Sequence, residues 1–142
     1  MILVDANVLI YAIDSDSPHH APARRWLEGA LSGTTPVGLA WIVVLAFLRL
    51  TTRSGILRNP LPPERAIAFV DEWLAQPYVR TVSPGAGHWT ILRKLLRESG
   101  TAGNLTSDAH LAALALELGA EICSTDADFE RFAGVDRVSP LR

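Results

Sequence analysis

The sequence predicts an α/β fold with a mostly parallel central sheet, and three observations carry that prediction. Short β-type runs alternate along the chain with longer helix-type segments, the rhythm of strands joined by helical crossovers. The first run, Ile2-Leu3-Val4, is apolar on both faces, as a strand covered above and below must be. The segment Ser107 to Leu118 is apolar nearly all round, which suits a helix pressed against the sheet.

The remaining elements follow in order. Ala6 to Ile13 is apolar and stops at the turn-rich Asp14-Ser15-Asp16-Ser17-Pro18. His20 to Leu31 has helical spacing, with Ala23, Trp26, Leu27 and Ala30 on one face. Pro36 to Leu39 reads as the second strand, and Trp41 to Arg53 as the helix after it. Asn59-Pro60-Leu61-Pro62-Pro63 breaks the chain; Pro63 suits the first turn of a helix through Leu74, where a missing N–H costs nothing. Tyr78 to Val82 is a third strand. His88 to Ser99 is amphipathic, with Trp89, Leu92, Leu95 and Leu96 expected inward and Arg93, Lys94 and Arg97 outward. Gly119 is the expected stop of the apolar helix. Glu121 to Ser124 is a fourth strand, before a short helix around Phe129 to Phe132 and a last β-type piece at Arg137-Val138.

Composition narrows the classes of function. With 142 residues, 49% of them hydrophobic, the chain has the size of one compact domain spanning 1–142 and ample material for a core. A net charge of −2 excludes a protein that coats nucleic acid by bulk charge, but leaves room for an acidic site rimmed by arginines. Cys123 has no second cysteine to pair with and sits in an apolar run, so it reads as a small buried hydrophobe. No basic segment precedes the apolar opening, as a secretory signal would require. The longest apolar stretch, Val37 to Leu48, has 12 residues against the roughly 20 needed to cross a bilayer. A cytoplasmic protein without membrane contact is expected.

The acids are placed unevenly. Asp5 directly follows the first strand, Asp126 and Asp128 follow the fourth, and Asp108 opens the apolar helix before it. In a parallel α/β sheet all strands end at one edge, and right-handed crossovers return each strand to it. Residues a hundred positions apart therefore converge on one small volume. Clustered carboxylates repel unless they are protonated or hold cations, and oxygen donors without Cys or His favour Mg²⁺ or Mn²⁺ over zinc. Such a site suits hydrolysis of a phosphodiester. Each acid taken singly also has a structural reading: a cap, a turn, or a partner for a helix dipole.

Three ordered motifs carry a resemblance. The opening Met1-Ile2-Leu3-Val4-Asp5-Ala6-Asn7-Val8-Leu9-Ile10-Tyr11 resembles the start of a PIN domain, and within that superfamily it is similar to the VapC-type toxins of bacterial toxin–antitoxin pairs. Gly103 to Ala115 resembles the helix that bears the family's third acid, and Ser124-Thr125-Asp126-Ala127-Asp128-Phe129 its last acidic motif. The likeness runs over almost the whole chain. It implies a three-layer α/β/α fold and an Mg²⁺- or Mn²⁺-dependent endoribonuclease acting as the toxin of a type II pair. It also implies a cognate antitoxin whose C-terminal part covers the active site, and a homodimer. The RNA stays open, with tRNA and rRNA as candidates. By position, Asp5, Asp108 and Asp126 match metal ligands, Asp128 a supporting acid, and Asn7 and Thr125 polar residues that orient the cluster.

One departure stands out. The family usually carries a glutamate in the helix after the second strand, just ahead of an arginine such as Arg49; here the position falls on Ala46 or Phe47, and Trp41 to Pro63 contains no acid. Either the aspartates suffice, or a later acid (Glu64, Asp71 or Glu72) enters the site, or catalysis is weak or lost. The last case gives the alternative function, a non-catalytic RNA- or antitoxin-binding PIN domain. Arg49 and Arg53 are candidate RNA contacts, as Arg24 and Arg25 are for the rim, although a solvated face is the commoner fate of arginine. Trp26, Trp41, Trp73 and Trp89 fall at apolar helical positions and are expected in the core or a dimer interface. His110 reads as the polar edge of its helix, and His19-His20 as surface. A phosphoacceptor receiver domain fits poorly, because Leu39-Ala40 and Val82-Ser83 end the middle strands and Lys94 lies mid-helix; an Asp-x-Asp phosphatase would need its pair after the first strand.

Overall fold

A computed structural model describes residues 1–100 and 102–141. Five strands form one sheet in the order β3-β2-β1-β4-β5: β1 Ile2–Val4, β2 Val37–Ala40, β3 Val79–Val82, β4 Glu121–Cys123 and β5 Arg137–Val138. Every neighbouring pair is parallel, with Ile2 opposite Val37 on one side of β1 and Val4 opposite Cys123 on the other. The helices are α1 Ala6–Ile13, α2 His20–Ser32, α3 Trp41–Thr52, α4 Pro63–Leu74, α5 His88–Ser99 and α6 Thr106–Leu118. The strand and helix predictions hold to within one or two residues, except that the short helix predicted at Phe129–Phe132 is a 3₁₀ segment at Ala127–Arg131.

The fold is a three-layer α/β/α arrangement. The chain steps outward from β1 through β2 to β3, then crosses back through α5 and α6 to β4 on the other side of β1. The strand order thus reverses between β1 and β4, and a crevice opens at the carboxyl edge of such a switch point. In β2, a Cβ on Gly38 would stand 2.5 Å from Leu3 Cδ2, so any side chain there would force Leu3 to shift. Phe47 of α3 is fully buried and packs edge-on against Trp73 of α4, ring centres 4.9 Å apart, which locks the α3–α4 pair. Helix α6 ends where predicted, at Gly119 with a left-handed φ of 64°.

The inward placement of Trp89 fails, and Trp41, expected in the core or a dimer interface, lies outside the core. Trp89 is 62% exposed and Trp41 50% exposed, whereas Trp73 is buried. In α5 the covered face is Ile91, Leu92, Leu95 and Leu96, begun by His88 one position before Trp89. A one-residue change of phase in a helix rotates a side chain by about 100°, enough to move it from core to water. His19 and His20 are also not free surface: both are half-buried, and His20 Nδ1 lies 2.9 Å from the Tyr11 carbonyl oxygen.

Candidate active site

The acids meet at the switch point. Asp5 ends β1 and caps α1, accepting the Ala6 N–H through Oδ1 at 2.8 Å. Its backbone is tied to β4 by an N–H donated to the Cys123 carbonyl at 2.9 Å. One residue further, Ser124 is fully buried and forms the centre of a small network. Its hydroxyl donates to Asp5 Oδ2 at 2.7 Å and accepts from Asn7 Nδ2 at 3.2 Å and from the Asp126 N–H at 3.0 Å. Asn7 also donates to Asp5 Oδ2 at 3.3 Å and accepts the Thr125 N–H at 3.3 Å. Thr125 therefore contributes through its backbone, and Asn7 ties α1 to the loop after β4. Ser124 is the orienting residue that sequence reasoning passed over; its signal was a polar residue ending an apolar strand two positions before Asp126.

Asp126 caps the 3₁₀ segment by accepting the Asp128 N–H at 2.8 Å, and Asp128 accepts Arg131 Nε at 3.1 Å. Asp108 lies in the first turn of α6, makes no cap bond, and has no hydrogen-bond partner among the described residues. One carboxylate oxygen from each of Asp108, Asp126 and Asp128 lies within 4.8 Å of the others, a group that can hold a metal ion. Asp128, expected as a supporting acid, is inside this triplet. Asp5, expected among the ligands, stands beside it and shares with Asp108 a cleft of about 140 Å³ walled by Ile42, Val43, Ala46 and Leu111.

Electrostatics match the crowding. Burial first, and then the charges of Asp5, Asp126 and Asp128, push Asp108 up to about 6. Burial also raises Asp5, against the pull of its hydrogen bonds from Ser124 and Ala6. Three convergent carboxylates, one of them proton-seeking, are a donor set for a hard divalent cation. Cys123, directly beneath, is buried and its thiol is pushed up to about 12, so it takes no part as a thiolate.

Ala46 and Phe47 lie on different sides of α3. Ala46 faces the cleft, while Phe47 points into the core. None of Glu64, Asp71 and Glu72 fills the gap: all three are exposed, and Glu72 lines a separate groove with Ala12, His20 and Trp73. Arg49 lies one turn beyond Ala46 on the same helix face and Arg53 ends the helix, both exposed. His110 contacts His88, with Nδ1 and Nε2 2.9 Å apart, so it packs α6 on α5.

Known proteins share this fold. The PIN domain profile matches residues 2–135. Ribonuclease VapC37 of Mycobacterium tuberculosis is 53% identical over 135 residues, covering 95% of this chain and 94% of that protein. Ribonuclease VapC33 of the same organism is 43% identical over 142 residues, covering 100% and 99%. Among solved structures, VapBC-1 from nontypeable Haemophilus influenzae superposes with a TM-score of 0.72 at 19% identity over 100% of both chains. M. tuberculosis VapC20, a sarcin–ricin loop cleaving toxin, superposes with a TM-score of 0.71 at 20% identity over 97% and 98%. Among the described residues no helix is long and apolar enough to cross a membrane. With its switch-point acids, its topology and these relatives, the chain belongs to the PIN domain family, among the VapC-type proteins.

Proposed function

We propose that this protein is an Mg²⁺- or Mn²⁺-dependent endoribonuclease that hydrolyses RNA phosphodiester bonds, the toxin of a type II toxin–antitoxin pair. The observation that carries the proposal is the gathering of Asp108, Asp126 and Asp128 within 4.8 Å, beside Asp5, in a chain whose relatives are named ribonucleases. When bound, a divalent ion supplies Lewis acidity toward a phosphate oxygen and a water of lowered pKa.

The protein's own residues do the rest. Asp108, Asp126 and Asp128, with Asp5 adjoining, provide hard oxygen donors, and Ser124, Asn7 and the Thr125 N–H keep Asp5 and Asp126 in place. Ile42, Val43, Ala46 and Leu111 make one wall of the cleft apolar, which lowers water access and strengthens electrostatic interactions there. Arg49 and Arg53 continue α3 away from that wall and suit contacts to RNA phosphates. The substrate is an RNA of the tRNA or rRNA class, met in the cytoplasm. A cognate antitoxin restrains the enzyme, in keeping with structural neighbours solved as VapBC complexes. Exposed Trp41 and Trp89, at the starts of α3 and α5 on the carboxyl side of the sheet, suit a homodimer face.

A purely RNA- or antitoxin-binding role draws only on the absent glutamate, and the three carboxylates gather without it. The deciding experiment titrates Mn²⁺ into purified, antitoxin-free protein and follows cleavage of RNA. Activity that needs the metal and vanishes in Asp5→Ala and Asp108→Ala is expected. No cleavage with either metal would overturn the enzyme in favour of a binding domain.

A further inference from the structure

Asp126 and Asp128 ride on a loop. The chain leaves β4 at Ser124 and turns through Ala127–Arg131, and the bonds within the turn are local: Asp126 N–H to Ser124 Oγ and Asp128 N–H to Asp126 Oδ1. Bonds of this kind shape a turn without tying its far end to the sheet. Asn7 holds the start of the loop at the Thr125 N–H and buried Phe129 anchors it in the core, and Arg137 reaches both of its ends. Arg137 of β5 donates through Nη1 to the Ser124 carbonyl at 3.0 Å and through Nη2 to Glu130 Oε1 at 2.8 Å. Its two contacts fall at residues 124 and 130, and both acids lie between them.

The energetics of Arg137 are odd for a stabilising residue. Its side chain is 8% exposed while that of Glu130 is 65% exposed, so the cation is dehydrated and its counter-charge is not. Its buried Nε–H has no acceptor among the described residues. An apolar side chain of similar volume in its place would leave Glu130 in water and take from the structure the bond to the Ser124 carbonyl, a modest loss. What only arginine supplies is a rigid planar fork that grips two acceptors at a fixed separation.

We propose that Arg137 is a positioning residue for the acid group: by bridging the Ser124 carbonyl and the Glu130 carboxylate, its guanidinium holds the 124–130 loop so that Asp126 and Asp128 meet Asp108. Because Ser124 also holds Asp5, the same fork bears on Asp5 as well as on Asp126 and Asp128. The proposal rests on the nuclease assignment only for its activity readout.

The test uses the full chain with Arg137→Met, Arg137→Lys and Glu130→Gln, measuring thermal unfolding, Mn²⁺ affinity by calorimetry, and amide exchange of residues 125–128 without metal. RNA cleavage is measured as separate kcat and KM. Arg137→Met is expected to fold with a modestly lowered melting point, yet to lose Mn²⁺ affinity and kcat by about ten- to a hundredfold, with KM little changed. The 125–128 amides should exchange faster while those of α1 do not. Arg137→Lys should recover little, since a point charge cannot span both acceptors. Glu130→Gln, altered at an exposed position, should fold and show a several-fold loss in the same direction, and it carries the test if Arg137→Met does not fold.

Unchanged exchange and Mn²⁺ affinity in the variants that fold would overturn the proposal, as would a loss no larger than their unfolded fraction explains. A wild-type protein that neither binds Mn²⁺ nor cuts RNA would overturn the nuclease assignment instead, and the exchange comparison would still decide the role of Arg137.

Discussion

Asp5 and Asp108 face the same cleft, but the protein treats them in opposite ways. Asp5 sits on the sheet side, where both of its oxygens accept hydrogen bonds, from Ala6 on one and from Ser124 and Asn7 on the other. Asp108 sits on the helix side, against the Ile42–Val43–Ala46 wall, with no hydrogen-bond donor among the described residues and three like charges nearby. One half of the site is organised by the chain alone. The other half is left electrostatically unfinished, and only a proton or a cation completes it.

The strongest way to break this contrast is to remove the unfinished half. Asp108→Asn should relieve the repulsion and leave the metal-free fold at least as stable, while RNA cleavage falls by about a thousandfold or more. Thermal melts beside cleavage rates check both halves of that statement; cleavage near the wild-type rate would remove Asp108 from the site. Next in size is Ser124→Ala, which strips Asp5 and the Asp126 N–H of their shared partner. It should cost about 1–3 kcal/mol of stability, read in denaturant melts, together with a loss of about tenfold or more in Mn²⁺ affinity.

The pH response sharpens the same comparison. With Asp108 held near 6 against an ordinary 3.8, the folded state binds its proton more tightly than the unfolded state does. Its contribution to the stability of the metal-free protein is full below about pH 3.8 and disappears as pH rises through about 6. Metal has to displace that proton, so Mn²⁺ affinity should climb from pH 5 to 7 with proton release, then level off. Calorimetry in buffers of different ionisation enthalpy would reveal a flat profile if Asp108 does not titrate there. The smallest effect is expected from Ala46→Glu, which adds a carboxylate to the apolar wall. It should lower the melting point without metal and tighten Mn²⁺ binding by a few-fold, and looser binding would show that this wall does not face the ion.

Much of this was legible in the residues. Ile2-Leu3-Val4 could only be a doubly covered strand, and Gly119 could only end its helix, because both are local consequences of burial and backbone freedom. The four aspartates were visible as strand-end and helix-start residues before any coordinates, since parallel topology forces such positions to one edge. Trp89 was misplaced because one residue of helical phase separates core from water, and neighbouring apolar residues on both sides of the turn fit either choice. Ser124 was missed because its role is a set of contacts to residues 117 and 119 positions away, which no local pattern encodes.

By itself, then, the amino-acid order determined the layering of helices on a parallel sheet and which acids would share an edge, since both follow from periodicity and chain direction. Only the tertiary packing decided that Ala46 and not Phe47 faces the cleft, that Asp128 joins Asp108 and Asp126 while Asp5 stands beside them, and that Arg137 lies buried under their loop. Those outcomes turn on differences of an ångström or two in how elements approach one another, and side-chain packing, not sequence spacing, sets distances of that size.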